Sequence, residues 1–403
     1  QERLERSEST DVGLRVLIGL RQAVVSSSDL SADGLRGMVE RAVAMARAVP
    51  GDPYCGLAAP SELAGEPVDV DGCDAAEPTP EALLARAACA EEAARAVAGV
   101  TNSEGAEATW SFGYNAVAAT NGFARAYARS RHGLTVSVLA GEGTAMERDY
   151  DYTTAVHGED LRDPAAIGRS AGERAVARLG PRKISSAQVP VVYDPRVAGS
   201  LLGHLAAAVN GTAIARGTTF LKDRLGTAVF PAAIEIIDDP LRRRGLRSRP
   251  FDAEGIATRP LKIVDGGTLA SWILDLRSAR QLGMESTGHA ARGISSPPSP
   301  SISNLYMAPG TVGRAALIAG VARGFYVTEL IGFGVNGVTG DYSRGASGFW
   351  IEDGRLAYPV SEITIAGNLL GMFANLTAAD DLHFRYATDA PTLRIDGMTL
   401  AGR

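Results

Sequence analysis

The side chains in this chain able to ligate a metal or carry a proton are few. His132, His157, His204, His289 and His383 are scattered, and no two of them stand at a metal-binding spacing. Cys55, Cys73 and Cys89 are odd in number, all in the first quarter of the chain, and form no CxxC. Their separations of 18 and 16 positions match no zinc template, and an odd early cluster is no disulfide framework, so they fit small buried thiols in a reducing cytoplasm. Nucleophile motifs are equally sparse. Gly345-Ala346-Ser347-Gly348 copies part of a serine elbow but sits in strand-like sequence, and neither a phosphate-binding loop nor a dinucleotide fingerprint is present. Asp238-Asp239 and Glu91-Glu92 read as turns or solvated faces, and Arg242-Arg243-Arg244 as a surface loop. Asp341-Tyr342-Ser343-Arg344 is the densest polar group. It reads either as turn residues satisfying a hairpin or as the wall of a groove or subunit contact.

A net charge of −6 argues against a general nucleic-acid binder, and no apolar run approaches the roughly 20 residues that span a bilayer. The elements that position the polar groups follow from local signals. Residues 13–28 read as two strands meeting near Gly19, and Leu30–Val49 as an amphipathic helix stopped by Pro50. Thr79-Pro80-Glu81 starts a helix that runs to about Ala98, after a loop over 50–80. Thr101–Ala155 reads as an antiparallel meander, with turns at Asn121-Gly122 and His132-Gly133 and alternating Trp110, Phe112 and Tyr114. Asp163-Pro164 opens another helix, which ends before Gly180.

A strand at Val189–Tyr193 leads into a helix with Asp194 as N-cap, Pro195 at its first position and Asn210-Gly211 at its end. Strands are expected from Ala228 to Leu274, with a hairpin at Asp265-Gly266-Gly267. Ser/Pro-rich His289–Ser303 reads as an exposed, mobile loop, and Thr311 as the cap of a helix ending at Gly324. From Gly332 to Gly371, β-branched and aromatic segments punctuated by glycine read as strands turning at Glu352-Asp353-Gly354. Asn368 then caps a short helix, and Thr392–Leu400 closes the chain as a hairpin. This is an α+β fold of antiparallel sheets with packed helices in two domains. An N-terminal α+β domain covers 1–185, and a mostly-β domain over 186–403 contains the helix at 195–210.

Three words, GDYSRGASGFW at Gly340–Trp350, YPVSEITIAGNL at Tyr358–Leu369 and STGHA at Ser286–Ala290, resemble the C-terminal sequence of the TldD/PmbA family, in its PmbA (TldE) branch. The resemblance covers roughly residues 10–403 and implies a further strand-and-helix region upstream. In the TldD branch, the helix equivalent to Pro195–Asn210 carries His-Glu-x-x-x-His, and a later cysteine completes a zinc site. Here that helix reads LLGHLAAAVNG from Leu201 to Gly211. Its ligand positions become Gly203 and Ala208, and its general-base position becomes His204. A slip of one residue would make His204 a ligand but put Leu205 and Val209 at the other two positions, and no cysteine follows Cys89.

The resemblance therefore implies a metal-free subunit of a heterodimeric zinc metallopeptidase. The zinc would be in a TldD-like partner that cuts unfolded or leader-type peptides. This chain would contribute half of an enclosed chamber and grip an extended peptide, with His204, His289 and Asp341 to Arg344 as candidate contacts with peptide or partner. His204, on a stripe with Val197, Leu201 and Ala208, otherwise reads as a partly buried histidine bonded to backbone, and His289 as a solvated loop residue. Two other readings stand beside this one. One is a self-sufficient homodimeric hydrolase pairing Ser343 or Ser347 with His204 or His289. The other is a structural or regulatory binding protein.

Overall fold

A computed structural model of the chain describes residues 3–402. The expected first hairpin forms as β1 (Val12–Ile18) and β2 (Arg21–Ser27), paired from Val12–Ser27 to Ile18–Arg21. Helix α1 (Ala32–Ala48), capped by the Ser31 side chain, covers it through Met38 and Ala42. Helix α2 (Pro80–Arg95) starts at the Thr79 cap and precedes a three-stranded meander. Its strands are β3 (Val100–Ala118), β4 (Ala124–Ala140) and β5 (Glu147–Ala155), in the order β3-β4-β5. The His132-Gly133 turn does not exist: both residues lie inside β4, opposite Trp110 and Thr109 of β3. Leu134, Val136 and Val138 alternate inward there, and burying them outweighs the local turn signal of the dipeptide. Helix α3 (Pro164–Ala177) lies beside α2 on the same sheet.

The remainder is built on β6 (Ala187–Tyr193) and α4 (Pro195–Ala208). Asn210 does not close α4 as expected. Its side chain accepts from Thr212 N and caps a second short helix, α5 (Gly211–Arg216). The region 228–274 holds less strand than expected: β7 (Ile236–Asp238), then β8 (Leu261–Asp265) turning through Gly266-Gly267 into β9 (Thr268–Leu269). After α6 (Leu276–Leu282), residues 289–303 are not a free loop. Their ends pair as β10 (Ala290–Ala291) and β11 (Ser299–Pro300), and His289, Ala290 and Ser303 are buried.

Strand β12 (Leu305–Met307) pairs with β7, and α7 (Arg314–Ala319) starts from Gly313 rather than Thr311. Then come β13 (Arg323–Ile331), β14 (Asp341–Glu352), β15 (Arg355–Asn368) and α8 (Leu369–Ala374). The chain ends with β16 (Leu376–Ala378), β17 (Thr388–Asp389) and β18 (Leu393–Ala401). The expected final hairpin is instead a single bulged strand, β18, lying between β6 and β16.

The large sheet runs β15-β14-β13-β6-β18-β16, and β15 also pairs with β18 through Thr364–Ala366. That extra pairing closes β15, β14, β13, β6 and β18 into a ring, which removes their free edges. Val191, Tyr193, Phe325, Val327, Ile365 and Met398 fill the core it shares with α4. The β14–β15 turn forms at Asp353-Gly354 as expected, both at positive φ (46° and 74°), the geometry of a tight hairpin turn.

Candidate functional site

Helix α4 begins where the Asp194 side chain accepts from Arg196 N at 3.0 Å, and Pro195 supplies a pre-set φ. Ala198, Leu201, Leu202, Leu205 and Ala208 bury one face in the core. Gly199 lets the helix touch β17, since a Cβ there would come 2.7 Å from Thr388 O. Gly203 is exposed, and a Cβ built on it meets nothing within 4 Å, so the position has room for a larger side chain.

His204 is half-buried, its ring edge-on to Tyr342 with centroids 5.9 Å apart and planes at 79°. Nε2 is buried and has no hydrogen-bond partner, so the expected backbone bond is not made there. Burial first, and the Arg344 cation second, push its pKa below the usual histidine value, leaving it neutral at pH 7.

The pleat of β14 divides the polar cluster into two sites. Tyr342 and Arg344 share one face. Tyr342 is buried and accepts from the Tyr193 hydroxyl at 3.4 Å, and the Arg344 charge acts on both tyrosines and on His204. Asp341 and Ser343 fall on the other face, which is exposed. They border an open groove of about 600 Å³ whose far wall is the loop from Phe333 to Gly337. Ser343 N donates to Gly334 O at 2.7 Å, tying loop to strand, and Phe333 stands 98% exposed on the rim. Asp341 accepts from Thr339 Oγ1 at 2.6 Å and from Asn368 Nδ2 at 3.2 Å, bonds that hold its carboxyl below the usual range.

His289 is not solvated. It is fully buried, with Nδ1 2.8 Å from Thr287 O and Nε2 3.0 Å from Asp238 Oδ2. Asp238 also accepts from Ser303 N and Oγ, so this network pins the STGHA word to β7. A serine hydrolase needs a hydroxyl within reach of a base. Ser347 is buried and Ser343 lies across the strand from His204, and neither bonds to a histidine among the described residues.

A zinc ion does not fit the donors present. Gly203 and Ala208 offer no ligand atom, which leaves the single imidazole of His204 on α4. Among the described residues, no three His, Cys, Asp or Glu side chains gather closely enough to hold a metal. Two features escaped the sequence. His132 and His157 meet Asp74 and Asp71 at 3.2 and 3.1 Å, and Arg196 of α4 meets Asp149 of β5 at 2.8 Å. These partners lie 47 to 86 positions apart with no linking motif, so only folding reveals them.

Three family profiles match the chain. They are described as PmbA/TldA metallopeptidase domain 1 over residues 1–46, the central domain over 73–179 and the C-terminal domain over 186–402. The chain is 37% identical over 404 residues to "Metalloprotease PmbA" of Escherichia coli O157:H7, covering 100% of this chain and 88% of that protein. Identity and coverage are the same for "Metalloprotease PmbA homolog" of Haemophilus influenzae. A putative modulator of DNA gyrase from Bacteroides thetaiotaomicron superposes with a TM-score of 0.89 at 28% identity, covering 100% of this chain and 90% of that one. TldE from Thermococcus kodakarensis shares the fold, with a TM-score of 0.85 at 19% identity over 97% of this chain and 94% of that one. The chain belongs to the PmbA/TldD metallopeptidase family, in its PmbA (TldE) branch.

Proposed function

We propose that this chain is the metal-free subunit of a heterodimeric zinc metallopeptidase. A TldD-like partner holds the zinc and cuts unfolded or leader-type peptides in the cytoplasm. The observation that carries this reading is α4. Its sequence and packing give a well-formed helix, yet the positions that the family resemblance marks as ligands hold Gly203 and Ala208. Gly203 has open space around it, so crowding does not explain the missing side chain. A catalytic zinc usually takes three protein ligands, and this helix supplies at most one.

The chain would then contribute a wall of the peptide chamber. His204, with its unpartnered Nε2, and Arg344 offer a donor or acceptor and a cation to an extended peptide on one face of β14. Asp341, Ser343 and the exposed Phe333 offer contacts on the other. The free thiols of Cys55, Cys73 and Cys89 suit a reducing compartment, and among the described residues no helix is long and apolar enough to cross a membrane.

The test measures zinc content and cleavage of a flexible peptide by this chain alone and mixed with a TldD-like chain. The expected result is less than stoichiometric zinc and no cleavage alone, with chelator-sensitive cleavage in the mixture. One zinc per chain, or cleavage by this chain alone, overturns the proposal.

A further inference from the structure

The basic run after Pro240 does not end at Arg244. Five of the nine residues from Leu241 to Arg249 are arginine, and the structure sorts them by partner. Arg243 and Arg244 meet Asp71, Glu159 and Asp160, Arg242 faces Asp389, and Arg249 lies in the field of Asp252 and Asp238. Arg247 forms no ion pair among the described residues. Its backbone N donates to the buried Asn304 side chain at 2.9 Å, which fixes the loop and leaves the arginine exposed.

Two more arginines converge on it from the meander. Arg129 and Arg131 sit at alternate positions of β4, opposite Gly113 and Ser111 of β3. They lie on the face turned away from the core of Leu134, Val136 and Val138. Arg129 Nη2 donates to Leu246 O at 2.9 Å, beside Arg247. Neither arginine forms an ion pair among the described residues. Desolvation first, and then the charges of Arg129 and Arg247, disfavour the Arg131 cation. Three guanidiniums thus crowd together without a counter-ion, in a chain whose net charge is −6. Like charges held this way repel one another until an anion arrives.

A long polyanion does not suit the surroundings. Glu107 is exposed on the same sheet face, opposite Thr135, and Asp71, Glu159 and Asp160 surround Arg243 and Arg244 in the same loop. A single carboxylate fits, because the planar guanidinium fork matches its two oxygens. The same face also leads toward α4. Six positions along β4 from Arg131, Ser137 lies opposite Tyr150, and the Arg196 guanidinium of α4 covers the Tyr150 ring at 4.5 Å. At about 3.4 Å per residue that is about 20 Å, the reach of an extended peptide of about six residues.

We propose that Arg129, Arg131 and Arg247 bind a carboxylate of the extended peptide, either an Asp or Glu side chain or the peptide's own C-terminus. This rests on the peptide-binding reading given above and adds to it a preference for acidic peptides.

Tetramethylrhodamine-labelled peptides of about ten residues, built from Ala, Gly and Ser around one variable central residue, are titrated with the purified chain by fluorescence anisotropy at low salt. The set has Gln, Glu or Lys at the centre with an amidated end, and Gln with a free carboxyl end. At least one carboxylate peptide is expected to bind about tenfold tighter than the amidated Gln peptide, with the gap closing in about 0.5 M NaCl. Arg131→Glu is expected to reverse the order, so that the Lys peptide binds tighter than the Glu peptide. A loss of structure cannot produce that reversal. The variant's thermal midpoint is expected to match the parent's, since Arg131 is exposed. No binding, equal binding of all the peptides, or an order that Arg131→Glu leaves unchanged overturns the proposal. Binding is read without zinc, partner or cleavage, so a chain that holds its own zinc would sink the subunit reading and leave this result standing.

Discussion

Arg196, in the first turn of α4, places Nη1 2.8 Å from Oδ1 of Asp149 on β5 and stacks its guanidinium 4.5 Å over the Tyr150 ring. The other carboxylate oxygen of Asp149 meets Arg178 Nη1 at 3.4 Å, and Arg178 Nη2 reaches Glu329 Oε2 on β13 at 2.6 Å. Asp149 is therefore a buried anion shared by two arginines, and it joins the β3-β4-β5 layer to the helix that carries His204.

Removing one member of a buried ion network leaves its partners charged without compensation, which typically costs about 3–5 kcal/mol. Asp149→Ala is expected to lower unfolding stability by that order in urea denaturation. Asp149→Leu combined with Arg196→Met is expected to recover part of the loss, because an apolar pair has no stranded charge. A loss below about 1 kcal/mol for Asp149→Ala would mean that the arginines find water instead.

The N-terminal hairpin carries a pH dependence. Glu254 is buried beside Arg15 of β1, but the closest approach is 3.8 Å, and burial outweighs the attraction. Its carboxyl is pushed up to about 8, and burial pushes the Arg15 guanidinium down. A carboxyl with a raised folded pKa binds more protons folded than unfolded. Its stabilising contribution is full below the unfolded pKa near 4.5, is lost as pH rises toward 8, and changes no further above that. Urea midpoints measured from pH 5 to 8 are expected to fall more steeply for the parent chain than for Glu254→Gln, by roughly 1–3 kcal/mol across the range. Parallel curves would show that Glu254 is already ionised at pH 5.

Asn368 braces Asp341, which borders the groove. Its oxygen caps α8 at Leu370 N (3.1 Å), and its Nδ2 donates to Thr339 O (2.9 Å) and Asp341 Oδ1 (3.2 Å). Loss of an N-cap typically costs about 1 kcal/mol, up to about 2. Asn368→Ala is expected to cost about that much in thermal unfolding, and Asn368→Asp to keep the cap but repel Asp341. If Asn368→Asp matches the parent chain, the contact with Asp341 contributes nothing.

Elements set by contacts along the chain were legible without coordinates. The hairpin of β1 and β2, the caps at Thr79, Asp163, Asp194 and Asn368, and the Asp353-Gly354 turn all follow from side chains acting within a few residues of themselves. So did the absence of ligand atoms at Gly203 and Ala208, which is a property of residue type alone. His132-Gly133 and the Ser/Pro-rich run after His289 carry loop signals, and burial against distant segments overrides that weak local preference. Asn210 differs for a local reason: its side chain caps the helix that follows it instead of ending the one before.

The alternation that splits Asp341 and Ser343 from Tyr342 and Arg344 was present in the sequence as a two-residue period. Only the ring of β15, β14, β13, β6 and β18 decided which side is core. The same holds for His289 against Asp238 and for Arg196 against Asp149, pairs 51 and 47 positions apart. Sequence determined which chemical groups exist and the local shape of their segments, because those depend on covalent structure and neighbours. Tertiary structure alone decided which groups are dry, paired or left free, because solvent exclusion comes from surfaces that meet only after the chain has folded.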